Sequence, residues 1–302
     1  METDVNRKIK GYGKIKPLFG SRSGVDREDW FRFNSCKKQL TLSIIFIRAF
    51  QLNGDELDRQ PAATHWSPLM HLKSVRIAHD RFPTTEAYPF NLPIIQHTAA
   101  IDFPSPVTVF TGENGTGKST LLKALCRRCN IHIWEGMHRA RYKASRYENL
   151  LHLSLDIVWA DGAVPGSFFS PELFRNFSQL VDEWAAGSPG LLTYFGGQSL
   201  VTQSHGQSCM AYFQSIYQVK GLHFLDEPEA ALSPKTQLRL LDVLSAMSAA
   251  GHAQFIISTH SPILMSCPGA SVYDFNQPTI ARTAYEKTRH YKIYKEFFSH
   301  GA

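Results

Sequence analysis

GENGTGKST, Gly112 to Thr120, constrains this chain more than any other stretch. It satisfies the spacing G-x-x-x-x-G-K-[ST]. The β-rich run VTVFT, Val107 to Thr111, precedes it, and a helix from Lys118 to about Cys129 is predicted to follow. A strand that turns into a helix through glycines aims successive backbone N–H groups into one concavity, and the helix dipole adds to their pull on an anion. Gly112, Glu113, Asn114, Gly115, Thr116, Gly117, Lys118, Ser119 and Thr120 are therefore the expected phosphate cradle. Lys118 is placed to reach the β- and γ-phosphates, and Ser119 to offer its hydroxyl to Mg2+.

From His71 onward the chain alternates strand and helix patterns, which argues for a largely parallel sheet covered by helices. Leu72 to Ala78 alternates as a strand, and so does LLHLSLDIVWA, Leu150 to Ala160. PELFRNFSQLVDEWA, from Pro171, has helical spacing with proline near its first turn. GLHFL, Gly221 to Leu225, QFIIST, Gln254 to Thr259, and SVYDF are further strands. SPKTQLRLLDVLSAMSAAG opens on Ser233 as N-cap with Pro234 at the next position, and ends at Gly251. A last helix from about Tyr285 to Phe298 puts Tyr291, Tyr294 and Phe298 on one face, read as a packing stripe.

Three more stretches carry chemistry. In TQSHGQSC, Ser204 and Gln207 have capping-box spacing at the start of an apolar helix. Such a capped end beside Gly206 leaves N–H groups for an anion. LHFLDEPEAALSP ends a buried apolar strand in two carboxylates, a costly position for charge unless a cation or polar ligand compensates it. Asp226 is read as holding Mg2+ through water, and Glu227 as taking a proton from the attacking water. FIISTHSP ends another buried strand at His260, on the sheet edge where open α/β folds bind ligands, within reach of the γ-phosphate.

Composition narrows the partners. The 302 residues carry a net charge of +6, and residues 1–48 account for all of it, with 11 Lys or Arg against 5 Asp or Glu. Attraction to a polyanion thus belongs to the basic segment at residues 1–65, read as an appendage or the product of an upstream start codon. Within the body, HRARYKASRY, His138 to Tyr147, is the most nucleic-acid-like patch, with a solvated loop as its plainer reading. Five scattered cysteines suit a reducing compartment, and Cys126 and Cys129 read as packing residues rather than metal ligands. No apolar run approaches the ~20 residues of a membrane span, and no cleavable signal is visible, so a cytoplasmic protein is expected.

G-x-N-G-x-G-K-S (Gly112 to Ser119), S-x-G-Q (Ser204 to Gln207), D-E-P-E-A-A-L-S (Asp226 to Ser233) and the S-T-H strand end resemble ABC-type ATPases of the soluble, SMC- and RecF-like branch. YPFNLP, SHGQS and the tail YDF…AYE…HY resemble a group of small stand-alone bacterial ATPases labelled AAA-family. The resemblance covers about Leu72 to the C-terminus. It implies a P-loop NTPase of α/β class: an ABC-ATPase-like sheet core flanked by helices over 66–302, with an inserted arm, roughly 135–220, carrying the signature helix. It implies ATP and Mg2+ as cofactors, with Lys118, Glu227 and His260 catalytic and Ser119 and Asp226 at the metal. It also implies a second copy as partner, whose Ser204, Gly206 and Gln207 face the γ-phosphate in trans, with Glu229, Ala230 and Ala231 resembling the loop that crosses the interface.

The match has gaps. SHGQS replaces the LSGGQ common in transporters, and no glutamine stands where a coupling loop needs one, Glu172 being the nearest substitute. Tyr88 and Phe90 stand where an adenine-stacking aromatic often sits, with core packing as the other reading. The expected activity is ATP hydrolysis by a dimer that closes around two nucleotides. Its rivals are a nucleotide-gated module with little turnover, acting on DNA or an effector protein, and the ATP-binding subunit of a transporter.

Overall fold

VTVFT, GLHFLD and AQFIIS are buried along their whole length, as strands are when layers cover both faces of a parallel sheet. The computed structural model describes residues 70–135 and 145–300. Its elements are β1 (Leu72–Ile77), α1 (Pro93–His97), β2 (Ala100–Asp102), β3 (Val107–Thr111), α2 (Lys118–Arg128), β4 (Leu155–Trp159), β5 (Gly166–Phe169) and α3 (Pro171–Gly187). There follow α4 (His205–Ile216), β6 (Gly221–Asp226), α5 (Pro234–Ala249), β7 (Ala253–Ser258), α6 (Pro262–Met265), β8 (Ser271–Asp274), β9 (Ala281–Thr283) and α7 (Arg289–His300).

Six strands form one sheet in the order β5-β6-β7-β3-β8-β9. All pair in parallel except the edge strand β9, which runs against β8. Phe110 lies opposite Ser258, and Asp226 lies opposite Ser258 from the other side. The register therefore brings the loops after β3, β6 and β7 to one edge, as the strand ends in the sequence predict. A second, antiparallel sheet has the order β2-β1-β4.

The main core lies between the two sheets. Leu72, Val75 and Ile77 of β1 and Leu121, Leu122 and Leu125 of α2 join Leu222, Phe224 and Ile256 of the parallel sheet. Residues one step along β6 and β7 face the other way, as the two-residue period of a strand requires. There His223 and Phe255 pack with Tyr217, which joins an aromatic cluster through Phe213, Tyr212 and Phe177. Burial pushes the His223 imidazole down to about 3, so it is neutral in this layer. Cys126 and Cys129 are buried, as expected of packing residues, and burial raises both thiols.

Two expectations fail locally. Leu150 to Ala160 is not one strand: Leu151–Ser154 makes a single 3-10 turn, and only Leu155–Trp159 pairs with β1. The turn carries Leu151 and Ser154 into the core and leaves Leu153 54% exposed, and Leu155 is buried as the first residue of β4, so the alternation was coincidental. The last helix starts at Arg289 rather than Tyr285, after a separate turn at Tyr285–Lys287, with the Thr288 hydroxyl accepting from the Tyr291 N–H. Its aromatic stripe is not core packing. Tyr294 and Phe298 stack on one another, and Phe298 stays 68% exposed.

Within the span assigned to an arm, β4 and β5 belong to the two sheets, and α3 and α4 lie between β5 and β6 in sequence. No helix among the described residues is long and apolar enough to cross a membrane. The stretches 1–69 and 136–144 lie outside the described residues, and with them most of the basic patches.

One side chain ties the two sheets together. The Gln254 Oε1 accepts from the N–H groups of His71 (3.0 Å) and Leu72 (2.8 Å), and its Nε2 donates to the Leu72 carbonyl (3.0 Å). All three bonds are buried, so Gln254→Leu strands backbone groups that no water reaches. A loss of about 2–4 kcal/mol is expected, read as a lower urea midpoint at unchanged m-value.

Candidate active site

The glycines of the loop after β3 adopt backbone shapes that side chains resist. Gly115 and Gly117 have φ of 81° and 97°, in the left-handed region. At Gly112, with φ 151°, a Cβ would stand 2.9 Å from the Cβ of Phe275. Gly117 caps α2, so the loop feeds straight into a helix N-terminus.

Lys118 follows. Its side chain is 4% exposed, and its ammonium donates to the carbonyls of Gly112 (2.7 Å) and Glu113 (2.8 Å). Burial lowers its pKa, opposed by the nearby carboxylates of Glu227 and Asp226. The loop is braced from outside. Thr116 donates to the Glu113 carbonyl, and the Glu113 N–H donates to Asn276 Oδ1 at 2.9 Å. Asp274 at the end of β8 holds that amide by accepting from Asn276 Nδ2 at 2.7 Å. Asn114 and Gly115 are exposed at the tip.

The Ser119 hydroxyl donates to Asp226 Oδ1 at 2.7 Å, joining residues 107 positions apart. Burial raises the Asp226 carboxyl, with the Ser119 hydrogen bond opposing. A hydroxyl and a carboxylate oxygen are hard donors of the kind Mg2+ takes, its remaining positions filled by water and phosphate oxygens. The donor set fits that ion. Among the described residues no cluster of His, Cys, Asp or Glu could hold a metal by itself.

Glu227, next along, is a non-glycine residue in the left-handed region, with φ 48° and ψ 52°. Such a conformation costs of order 1 kcal/mol and marks a constrained position. It separates the two neighbouring carboxylates: Asp226 is buried, whereas the Glu227 side chain is 43% exposed. Glu227 Oε1 stands 3.5 Å from Nε2 of His260. The His260 N–H donates to Glu229 Oε1 at 2.6 Å, so Glu229 faces inward in this chain. Burial raises that carboxyl and lowers the His260 imidazole.

At the start of α4, the Gln207 side chain accepts from the Ser204 N–H at 3.2 Å and the Ser204 side chain faces the Gln207 backbone N–H, the predicted capping box, while the Ser204 hydroxyl also donates to Gln207 Oε1 at 2.6 Å. Ser204 and Gln207 are exposed, and a Cβ on Gly206 would come 3.9 Å from the Ala231 carbonyl. Tyr88 is partly exposed and its hydroxyl lies 2.6 Å from that of Thr120, whereas Phe90 is buried against Phe82. Phe90 is thus a core residue. Glu172 is exposed in the first turn of α3.

Sequence reasoning missed Asn276, Arg289 and His290. Arg289 Nη1 pairs with Glu113 Oε1 at 3.2 Å, and His290 sits behind His260. The pairing of Asp274 with Asn276 two residues on was a visible turn signal. Nothing local marked α7 as part of the site.

Residues 204–266 match a family model described as an AAA domain, putative AbiEii toxin, Type IV TA system, and residues 91–129 match one described as an AAA domain. No curated protein matches the sequence. Among solved structures the chain is similar to the SMC head domain from Thermotoga maritima, at 15% identity over 71% of this chain and 98% of that one, with a TM-score of 0.37. It is similar to cbiO1 from Clostridium perfringens, part of the ABC transporter complex cbiONQ, at 18% identity over 67% and 87%, with a TM-score of 0.38. A third is an ATP-binding cassette of an ABC transporter in its ADP conformation, at 13% identity over 75% and 99%, with a TM-score of 0.44.

The buried acid yields a test with a definite sign. A carboxyl whose pKa rises on folding costs stability where it is ionised in both states, and the cost disappears below its unfolded pKa. Asp226→Asn, which keeps the oxygen that accepts from Ser119, should raise the melting temperature of ligand-free protein at neutral pH. The gain should shrink as pH falls from neutral toward the ordinary aspartate value of about 4. Calorimetry across that range checks it; an equal or lower melting temperature at neutral pH contradicts it.

Proposed function

We propose that this chain, a small P-loop protein of the ABC- and SMC-like ATPase class, binds Mg·ATP at the loop after β3 and hydrolyses it between two copies in the cytoplasm. The observation that carries the reading is the contact of Ser119 with Asp226, flanked by buried Lys118 and outward-turned Glu227. Phosphoryl transfer asks a protein mainly for positioning and electrostatic stabilisation. When bound, Mg2+ supplies charge neutralisation for the phosphate oxygens.

The remaining work falls to the protein. Backbone N–H groups of the loop and the start of α2 bind phosphate oxygens, and Lys118 exchanges its carbonyl partners for them. Ser119 and Asp226 hold the cation. Glu227 orients water and takes its proton, and His260 donates a hydrogen bond to the γ-phosphate. Ser204, Gly206 and Gln207 close the site of a second copy. Support for that last role is the exposure of Ser204 and Gln207, with Gly206 half-buried between them, at the N-terminus of a 12-residue helix, where orphan N–H groups attract an anion.

A second reading is a nucleotide-gated module with little turnover, serving DNA or an effector protein. The observation favouring it is α7, bonded to the site through Arg289 and His290 while its Ile293, Tyr294, Phe297 and Phe298 stay exposed. A transporter subunit would additionally need a membrane partner, found by co-purification.

Glu227→Gln is the discriminating variant. It should lower kcat by about a hundredfold or more and accumulate an ATP-bound dimer in light scattering. A monomer at saturating ATP sinks the two-copy reading, and wild-type protein that binds ATP without turnover leaves the gated module in its place.

A further inference from the structure

Behind His260 stands a second imidazole that none of the roles above employs. His260 Nδ1 and His290 Nε2 are 3.0 Å apart, and His290 Nδ1 is 3.3 Å from the hydroxyl of Thr111 at the end of β3. On its other side, the buried His260 Nε2 has no hydrogen-bond partner among the described residues and stands 3.5 Å from the Glu227 carboxylate. Four groups from four parts of the chain thus form one line, Thr111, His290, His260 and Glu227.

A neutral imidazole carries one donor and one acceptor nitrogen, so the line permits two arrangements. In one, Thr111 donates to His290 Nδ1, His290 Nε2–H donates to His260 Nδ1, and His260 keeps its proton on Nε2. In the other every bond is reversed, and His260 turns a bare lone pair toward a carboxylate. The second is electrostatically unfavourable, because two acceptors then face each other in a partly buried site. Burial favours neutral rings, and the charged groups around the pair act in both directions. Burial is the leading cause lowering both imidazoles, Lys118 and Arg289 add to it, and Glu113, Glu227 and Asp274 oppose it. Glu229 holds the His260 backbone.

We propose that His290, carried to the site by α7, is a positioning residue that, together with the Glu227 carboxylate on the far side of the ring, holds His260 as the Nε2–H tautomer and so makes it a hydrogen-bond donor toward the phosphate side of Glu227. The phosphate part rests on the ATPase reading above; the tautomer does not. The hydroxyl of Thr111 holds the His290 ring in place from the end of β3 and can donate or accept in either arrangement.

Nitrogen-15 NMR of nucleotide-free wild-type protein tests the tautomer without any variant. His260 should show a pyridine-type Nδ1 and a pyrrole-type Nε2; a protonated Nδ1 or an even mixture overturns the proposal. His290→Leu should convert that pattern to a mixture and lower kcat about ten- to a hundredfold, with KM for Mg·ATP changed less than about twofold. His290→Gln, whose amide nitrogen takes the place of Nε2 as donor, should restore the pattern and most of kcat. A merely structural His290 predicts that Gln and Leu variants lose activity in parallel with melting temperature, and that outcome overturns the proposal too. Wild-type protein without turnover removes the ATPase reading, and the NMR pattern still decides the tautomer.

Discussion

A buried lysine ammonium with backbone carbonyls for partners is the interaction on which the rest of the structure turns. Lys118 is held by Gly112 and Glu113 of its own loop, and burial already depresses its pKa. Taking a cation out of water is expensive unless hydrogen bonds and opposite charge compensate it. Two carbonyls are a modest replacement for hydration. A phosphate oxygen would be a better one, so the loop holds its cation in a position that an anion would improve. The glycine geometry at Gly115 and Gly117, and the tight fit of Gly112 against Phe275, keep the loop closed around it.

The architecture supplies the opposing charge. Parallel pairing of β6, β7 and β3 in register delivers Asp226, His260 and the loop to one edge. Burial raises the Asp226 carboxyl while lowering Lys118, so both charges are strained in the same site. A site built this way is less stable alone than with its ligands, since anything that binds only the folded state stabilises it. The left-handed Glu227 belongs to the same logic, because it turns one carboxylate outward where its neighbour points in.

Much of this was legible locally. The glycine loop between β3 and α2, the apolar strands that end at Asp226 and two residues before His260, and the capping box of Ser204 with Gln207 are all short-range patterns, and the structure forms each of them. Periodicity misled where two periods coincide. Leu151, Leu153 and Leu155 fit alternation, yet Leu151 is buried by a 3-10 turn that exposes Leu153, and Leu155 is buried as the start of β4. The stripe on α7 had helical spacing, but spacing says nothing about whether another element lies opposite. His290 was invisible for a different reason. Its partners are 30 and 179 residues away, and no local pattern encodes a contact at that distance. The same holds for Gln254, which reaches the backbone of Leu72 across 182 residues.

The long-range contacts make α7 part of the site, because Arg289 reaches the loop through Glu113 and His290 reaches His260. All of it presupposes that the loop receives a triphosphate. Titration calorimetry of Mg·ATP into the full chain, beside the same titration into Lys118→Ala, measures that most directly. Saturable binding near one nucleotide per chain, lost in the variant, is the expected result; no heat of binding, or equal binding by both proteins, contradicts the account.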